Sequence, residues 1–310
     1  MPRLNVFVSE ELHDLIDKWR GRFNLSEICA RALEAELRAV DIGKATDTLL
    51  SREGPRSEFS KQLRSRLGLR DVLIAETELV GERLREQLGK LAAAYVDQFI
   101  SEGATLALAG GKQIWAVVNQ LQPRNVLVAL AGVGFANDSE VFEAHPNTSV
   151  TIAWLRYRSG SKAYRVGAAE FSQLLFPMEN TKQKVRIVVA SCAPFDTNSP
   201  FSELLGTAAV RSLVEAGAVG DFCYNFFDAA GESLLPPIVP GLARSLIDTE
   251  HLRSLVNDDS AHVLLVAGGR EKHDTIAHTI RARLCNVLVT NRETGEFLMC
   301  LDPDKGVALA

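Results

Sequence analysis

An unbroken β-prone run, HVLLVA at 262–267, is closed by Gly268-Gly269, and apolar residues at helical spacing follow from Arg270 to Arg283. A second apolar run, NVLV at 286–289, comes next. This predicts a βαβ unit with glycines at its first strand-to-helix turn. The same order stands earlier in the chain: a strand at Ala104 to Ala109, then Gly110-Gly111-Lys112-Gln113, a helix through Leu121 and a strand at Val126 to Ala131. Around these units the pattern predicts an amphipathic helix from Leu79 to Ile100, strands at Val150 to Arg156 and Val185 to Ala190, and helices at Pro200 to Ala216 and Asp248 to Val256. Ser191 to Pro194 reads as a loop.

The first forty residues have another rhythm. Residues 3–8 alternate as a short strand, Ser9 caps a helix with Leu12, Leu15, Ile16 and Trp19 on one face, and Ser26 caps a second with Ile28, Ala32, Leu33 and Leu37. So small a unit needs dimerisation to bury a core. Residues 41–56 are polar, contain Gly54-Pro55 and have no sustained period, which makes them a linker. The expected organisation is a module at 1–40, a linker at 41–56 and an α/β domain at 57–310.

A glycine turn between strand and helix aims unpaired N–H groups at one point and lets a ligand approach the backbone, so an anion suits it. In an open α/β sheet such turns gather at the carboxyl ends of the strands. Candidate ligand residues are therefore Gly110, Gly111, Lys112 and Gln113 at one turn, and Gly268, Gly269, Arg270 and Lys272 at the other, with Gly132 and Gly134 lining the same crevice. Gly132-Val133-Gly134 is not a dinucleotide fingerprint, because Asn137 stands at the third glycine, and no Walker-type loop occurs.

Composition excludes other classes. The chain has 310 residues, 46% hydrophobic, and a net charge of −5, so no global positive field draws nucleic acid and any DNA binding is local. Five scattered cysteines without a C-x-x-C pair argue against a disulfide framework or zinc site, and Cys192 reads as a buried thiol rather than a nucleophile. His251, His262, His273 and His278 are not spaced as metal ligands. With no signal-like segment and no apolar run of membrane length, a cytoplasmic protein is expected.

Two resemblances refine this reading. VAGGREKHDTIAHTIRARLCNVLVTNRETGEFL resembles the C-terminal segment of the effector domain of SorC/DeoR-type sugar-responsive transcription regulators, with Asn291 where that pattern has Asp. SEFSKQLRSRLGLRDVLIAE, the Gly110 turn and GAVGDFCYNFFDAAGE (Gly217 to Glu232) are similar to further segments of the same family, with Gln113 in place of its Thr. The resemblance implies a Rossmann-type, NagB/RpiA/CoA-transferase-like fold, a phosphate at the glycine turns, and Asp221 and Asn225 beside the pocket. Asp228 reads as a turn former. Residues 2–40 resemble the ribbon-helix-helix DNA-binding family, which implies base contacts by Arg3, Asn5 and Phe7 and a phosphate contact at Ser26.

Together these imply a ligand-responsive, DNA-binding transcription regulator, a homodimer or a pair of dimers. Its partners would be operator DNA and a phosphorylated small molecule, with no catalytic residue, metal or cofactor. The competing readings are a sugar-phosphate enzyme of the same fold and a ligand-gated assembly that does not touch DNA. Phe7 and Glu27 and the near balance of basic and acidic residues over 1–40 keep the latter open.

Overall fold

Helix α1 (Glu58–Leu67) starts at Ser57, whose hydroxyl accepts the Ser60 N–H at 3.2 Å, and stops at Gly68 in the left-handed region. Strand β1 (Asp71–Ala75), helix α2 (Gly81–Phe99), strand β2 (Thr105–Leu108) and helix α3 (Lys112–Val118) follow. Then come β3 (Leu127–Leu130), β4 (Ala163–Tyr164), β5 (Val185–Ala190), β6 (Cys192–Pro194), α4 (Thr207–Glu215), β7 (Ala218–Phe222) and β8 (Asn225–Asp228). The last elements are α5 (Thr249–Val256), β9 (His262–Val266), α6 (His273–Arg281) after a 3-10 turn at Arg270–Lys272, β10 (Val287–Asn291) and α7 (Arg292–Cys300). This computed structural model describes residues 57–100, 104–121, 127–130, 163–164, 185–195, 206–223, 225–234 and 248–301, all within the unit Thr48–Ala310. The expected module at 1–40, the linker at 41–56 and the strand at Val150 to Arg156 lie outside the described residues.

Among the described residues seven strands form one sheet in the order β1-β10-β9-β5-β2-β3-β4, and every pairing is parallel. Such a sheet is covered on both faces, which explains why β9 and β10 read as continuous apolar runs rather than alternating ones. From β2 the chain steps outward to β3 and β4, then returns to the other side of β2 with β5, so the topological switch point lies between β2 and β5.

A second, antiparallel sheet, β6-β7-β8, continues from the end of β5. Here the loop expected at Ser191 to Pro194 is corrected: Cys192–Pro194 is an edge strand paired with β7, a position that tolerates Pro194. The glycine of the GAVGD motif has a packing reason. A Cβ on Gly220 would lie 2.3 Å from the Thr275 methyl, so the hairpin can seat against α6 only without a side chain there. Asp228, the last residue of β8, is a turn former, its Oδ1 accepting the N–H groups of Ala230 and Glu232 at 2.9 Å each.

Candidate functional site

Parallel pairing puts the turns after β2 and β9 at the same, carboxyl, end of the sheet, with β5 between them. Two strand spacings, about 10 Å, separate such turns. Gly111 sits at φ 105, ψ 167 and Gly269 at φ 102, ψ 148. Both are in a region essentially closed to residues with a Cβ. Each begins its helical segment without a side-chain cap. Beyond Gly111 the first backbone return is Trp115 N–H to the Gly111 carbonyl, and the N–H groups of Lys112, Gln113 and Ile114 have no partner among the described residues.

The second turn is built differently beneath. Gly269 N–H is shared by Asn291 Oδ1 (3.3 Å) and Thr294 Oγ1 (3.2 Å), and the Thr294 hydroxyl donates to Asn291 Oδ1 at 2.7 Å. Because a backbone N–H can only donate, this network fixes the orientation of the Asn291 amide, with its oxygen under the turn. A Cβ on Gly268 would lie 2.7 Å from that oxygen, so the first glycine serves close packing. Lys272 N–H returns to the Gly269 carbonyl at 3.0 Å, which leaves the N–H groups of Arg270 and Glu271 without partners among the described residues. Asn291 and Thr294 support the turn, and spacing alone did not single them out for that task.

Charge at this turn is more balanced than the sequence implied. Arg270 is ion-paired with Glu293. The Glu271 carboxylate folds back over Gly269, where a Cβ would meet its Oε2 at 2.7 Å. Lys272 and Asp221 both act on the buried Cys192 thiol, the lysine lowering its pKa and the aspartate raising it, which places the two charges around the end of β5. Burial dominates and pushes that thiol up to about 12, so it is protonated and inert at neutral pH.

Of the other expected ligand residues, two turn inward. Gln113 is buried and its Nε2 donates to the Arg85 carbonyl at 3.1 Å, tying α3 to α2. Asn225 is also buried, and its Nδ2 donates to the carbonyls of Phe222 (3.2 Å) and Cys223 (3.4 Å), bracing the β7–β8 hairpin. Gly110 and Lys112 flank Gly111 at the rim, and Asp221 lies on β7 opposite Ala193. Gly132, Gly134, Arg3, Asn5, Phe7 and Ser26 lie outside the described residues. No group of residues among those described could hold a metal ion, and no described helix is long and apolar enough to cross a membrane.

Comparison with known proteins matches residues 54–151 and 180–300 to the Sugar-bind family model, a sugar-binding domain. A curated relative, the sorbitol operon regulator of Klebsiella pneumoniae, is 23% identical over 273 residues, 78% of this chain and 79% of that protein. The crystal structure of the full-length sorbitol operon regulator from Klebsiella pneumoniae superposes with a TM-score of 0.59 at 19% identity, covering 78% of this chain and 80% of that one. A DeoR family transcriptional regulator from Listeria monocytogenes gives 0.59 at 16% identity, covering 78% and 98%. At these identities the structures establish a shared fold.

Proposed function

Given that this chain belongs to the family of that sugar-binding domain, we propose that it is a ligand-responsive, DNA-binding transcription regulator whose effector domain takes a phosphorylated sugar or related phosphorylated metabolite. The observation that carries this is the pair of glycine turns. They share one backbone conformation, lie on either side of the switch-point strand and leave first-turn N–H groups without partners among the described residues. Unpaired donors at helix starts suit a phosphate oxygen. Lys272 adds one cation, and Asp221 offers an acceptor for sugar hydroxyls. The relatives are named as regulators, which favours a sensor over an enzyme of the same fold.

The ribbon-helix-helix reading of residues 1–40 supplies the DNA-binding part of the proposal, with Arg3, Asn5 and Phe7 on the ribbon and Ser26 at a phosphate. Operator affinity then responds to the metabolite only if ligand binds the DNA-competent and DNA-incompetent states unequally. A fluorescence-anisotropy titration against the duplex upstream of the protein's own coding region tests this. Binding tighter than to random duplex at several salt concentrations, and altered by sugar phosphate, is expected. Equal affinity for both duplexes at every salt concentration contradicts it.

A further inference from the structure

The amino ends of β1, β9 and β10 enclose another hollow, at the opposite end of the sheet from the glycine turns. Its volume is about 680 Å³, within the range of small-molecule pockets. Arg66, Arg70, Arg281 and Arg283 line it, with Asp259 as the one carboxylate among the described lining residues and an apolar floor that includes Ile280 and Leu298. Helices α1, α5 and α6 all finish here, and two of the arginines have an ordinary task at such ends. Arg66 donates to the Leu301 carbonyl, and Arg70 to those of Asp258 at 3.2 Å and Asp259 at 2.6 Å.

Arg283 has no such task. Its exposed side chain makes no hydrogen bond or ion pair among the described residues, and its backbone stands at φ 56, in the left-handed region. It closes α6: Arg283 N–H returns to the Ile280 carbonyl at 3.0 Å and Leu284 N–H to that of Thr279 at 3.2 Å. Glycine is the low-energy choice at this place, and α1 has it in Gly68. An arginine held in glycine's conformation and, among the described residues, unpaired, beside three more guanidinium groups and a single described carboxylate, that of Asp259, itself 3.6 Å from Arg70, is an arrangement that a multiply charged anion completes.

We propose that this hollow is a second ligand site, taking a small organic molecule that carries two or more phosphate or carboxylate groups on an apolar body. Guanidinium groups match both kinds of oxyanion with paired donors. The proposal is independent of the glycine turns, because the five residues of β9 separate the two ends by roughly 16 Å.

Isothermal titration of the full chain with inorganic pyrophosphate and with citrate tests it, in the wild type, Arg283→Gly and Lys272→Ala. Arg283→Gly relieves the backbone, so it should melt at or above the wild-type temperature while binding the probe about tenfold more weakly, the loss of a charge-assisted contact. Lys272→Ala should retain this binding event. Wild-type affinity in Arg283→Gly, or complete loss of uptake in Lys272→Ala, overturns the proposal by assigning the anion elsewhere. No uptake by the wild-type chain also overturns it, and leaves the arginines as caps of helix ends.

Discussion

Gly111 and Gly269 hold their helix starts in a conformation that a Cβ makes costly, and the two positions differ in what else a side chain would meet. Nothing lies within 4 Å of a Cβ at Gly111, whereas the Glu271 carboxylate crowds Gly269. Gly111→Ala therefore isolates backbone strain, and urea denaturation should show a loss of about 1–3 kcal/mol; an unchanged midpoint would refute the strain. Glu271 has a second consequence. Its carboxylate lies beside the turn proposed to take a phosphate, so Glu271→Gln should tighten binding of a sugar phosphate severalfold with little effect on the neutral sugar, as read by calorimetry. Equal effects on both ligands would show that the acid does not face the phosphate. The glycine turns themselves were legible in the sequence, since paired glycines between an apolar run and a helix mark the positive-φ starts found at Gly111 and Gly269. Gln113 and Asn225 were not legible as inward-facing, because nothing in a residue's type or spacing says which backbone carbonyl its amide will meet.

Among the elements, α2 is held to the amino ends of β1 and β9 by a polar cluster. Tyr95 donates its hydroxyl proton to Asp71 Oδ2 at 2.6 Å, and the Tyr95 hydroxyl oxygen stands 2.9 Å from His262 Nδ1. The phenol has one proton, so His262 carries its own on Nδ1 and donates it to Tyr95. Burial lowers the pKa of His262, His273 and His278 below the ordinary 6.5, with Arg70 adding to the effect at His262 and Asp71 opposing it. The folded protein thus protonates these rings less readily than the unfolded chain does. Their contribution is intact above pH 6.5 and is lost as pH falls from there toward the lower folded values. Denaturation midpoints measured from pH 7.5 down to pH 5 should decline, less steeply in His262→Gln; a flat or rising profile would contradict this. The strands and helices were legible because a parallel sheet writes its strands as short apolar runs between glycines and amphipathic helices. Strand β6 was missed, since three residues ending in proline carry no period. The Tyr95 cluster was missed because its members lie on three separate elements.

For the whole molecule, the order of the sheet decides where a ligand can sit, and that order was beyond local pattern. Nothing in the spacing of β2 and β9 along the chain states that β5, which falls between them in sequence, also falls between them in space. What the family resemblance implied, the fold then supplied: both turns at one end of a parallel sheet, flanking its switch point. The arginine-lined hollow at the other end was not legible, because its charges come from α1, α6 and the connections next to them. The proposed function requires a phosphate at the two glycine turns, and calorimetry with sugar phosphates and their unphosphorylated counterparts tests that most directly. At least one phosphorylated sugar should bind about tenfold or more tightly than its unphosphorylated counterpart, the worth of roughly 1.4 kcal/mol. Sugars that bind equally well without the phosphate, or a panel in which no sugar phosphate binds, would contradict it.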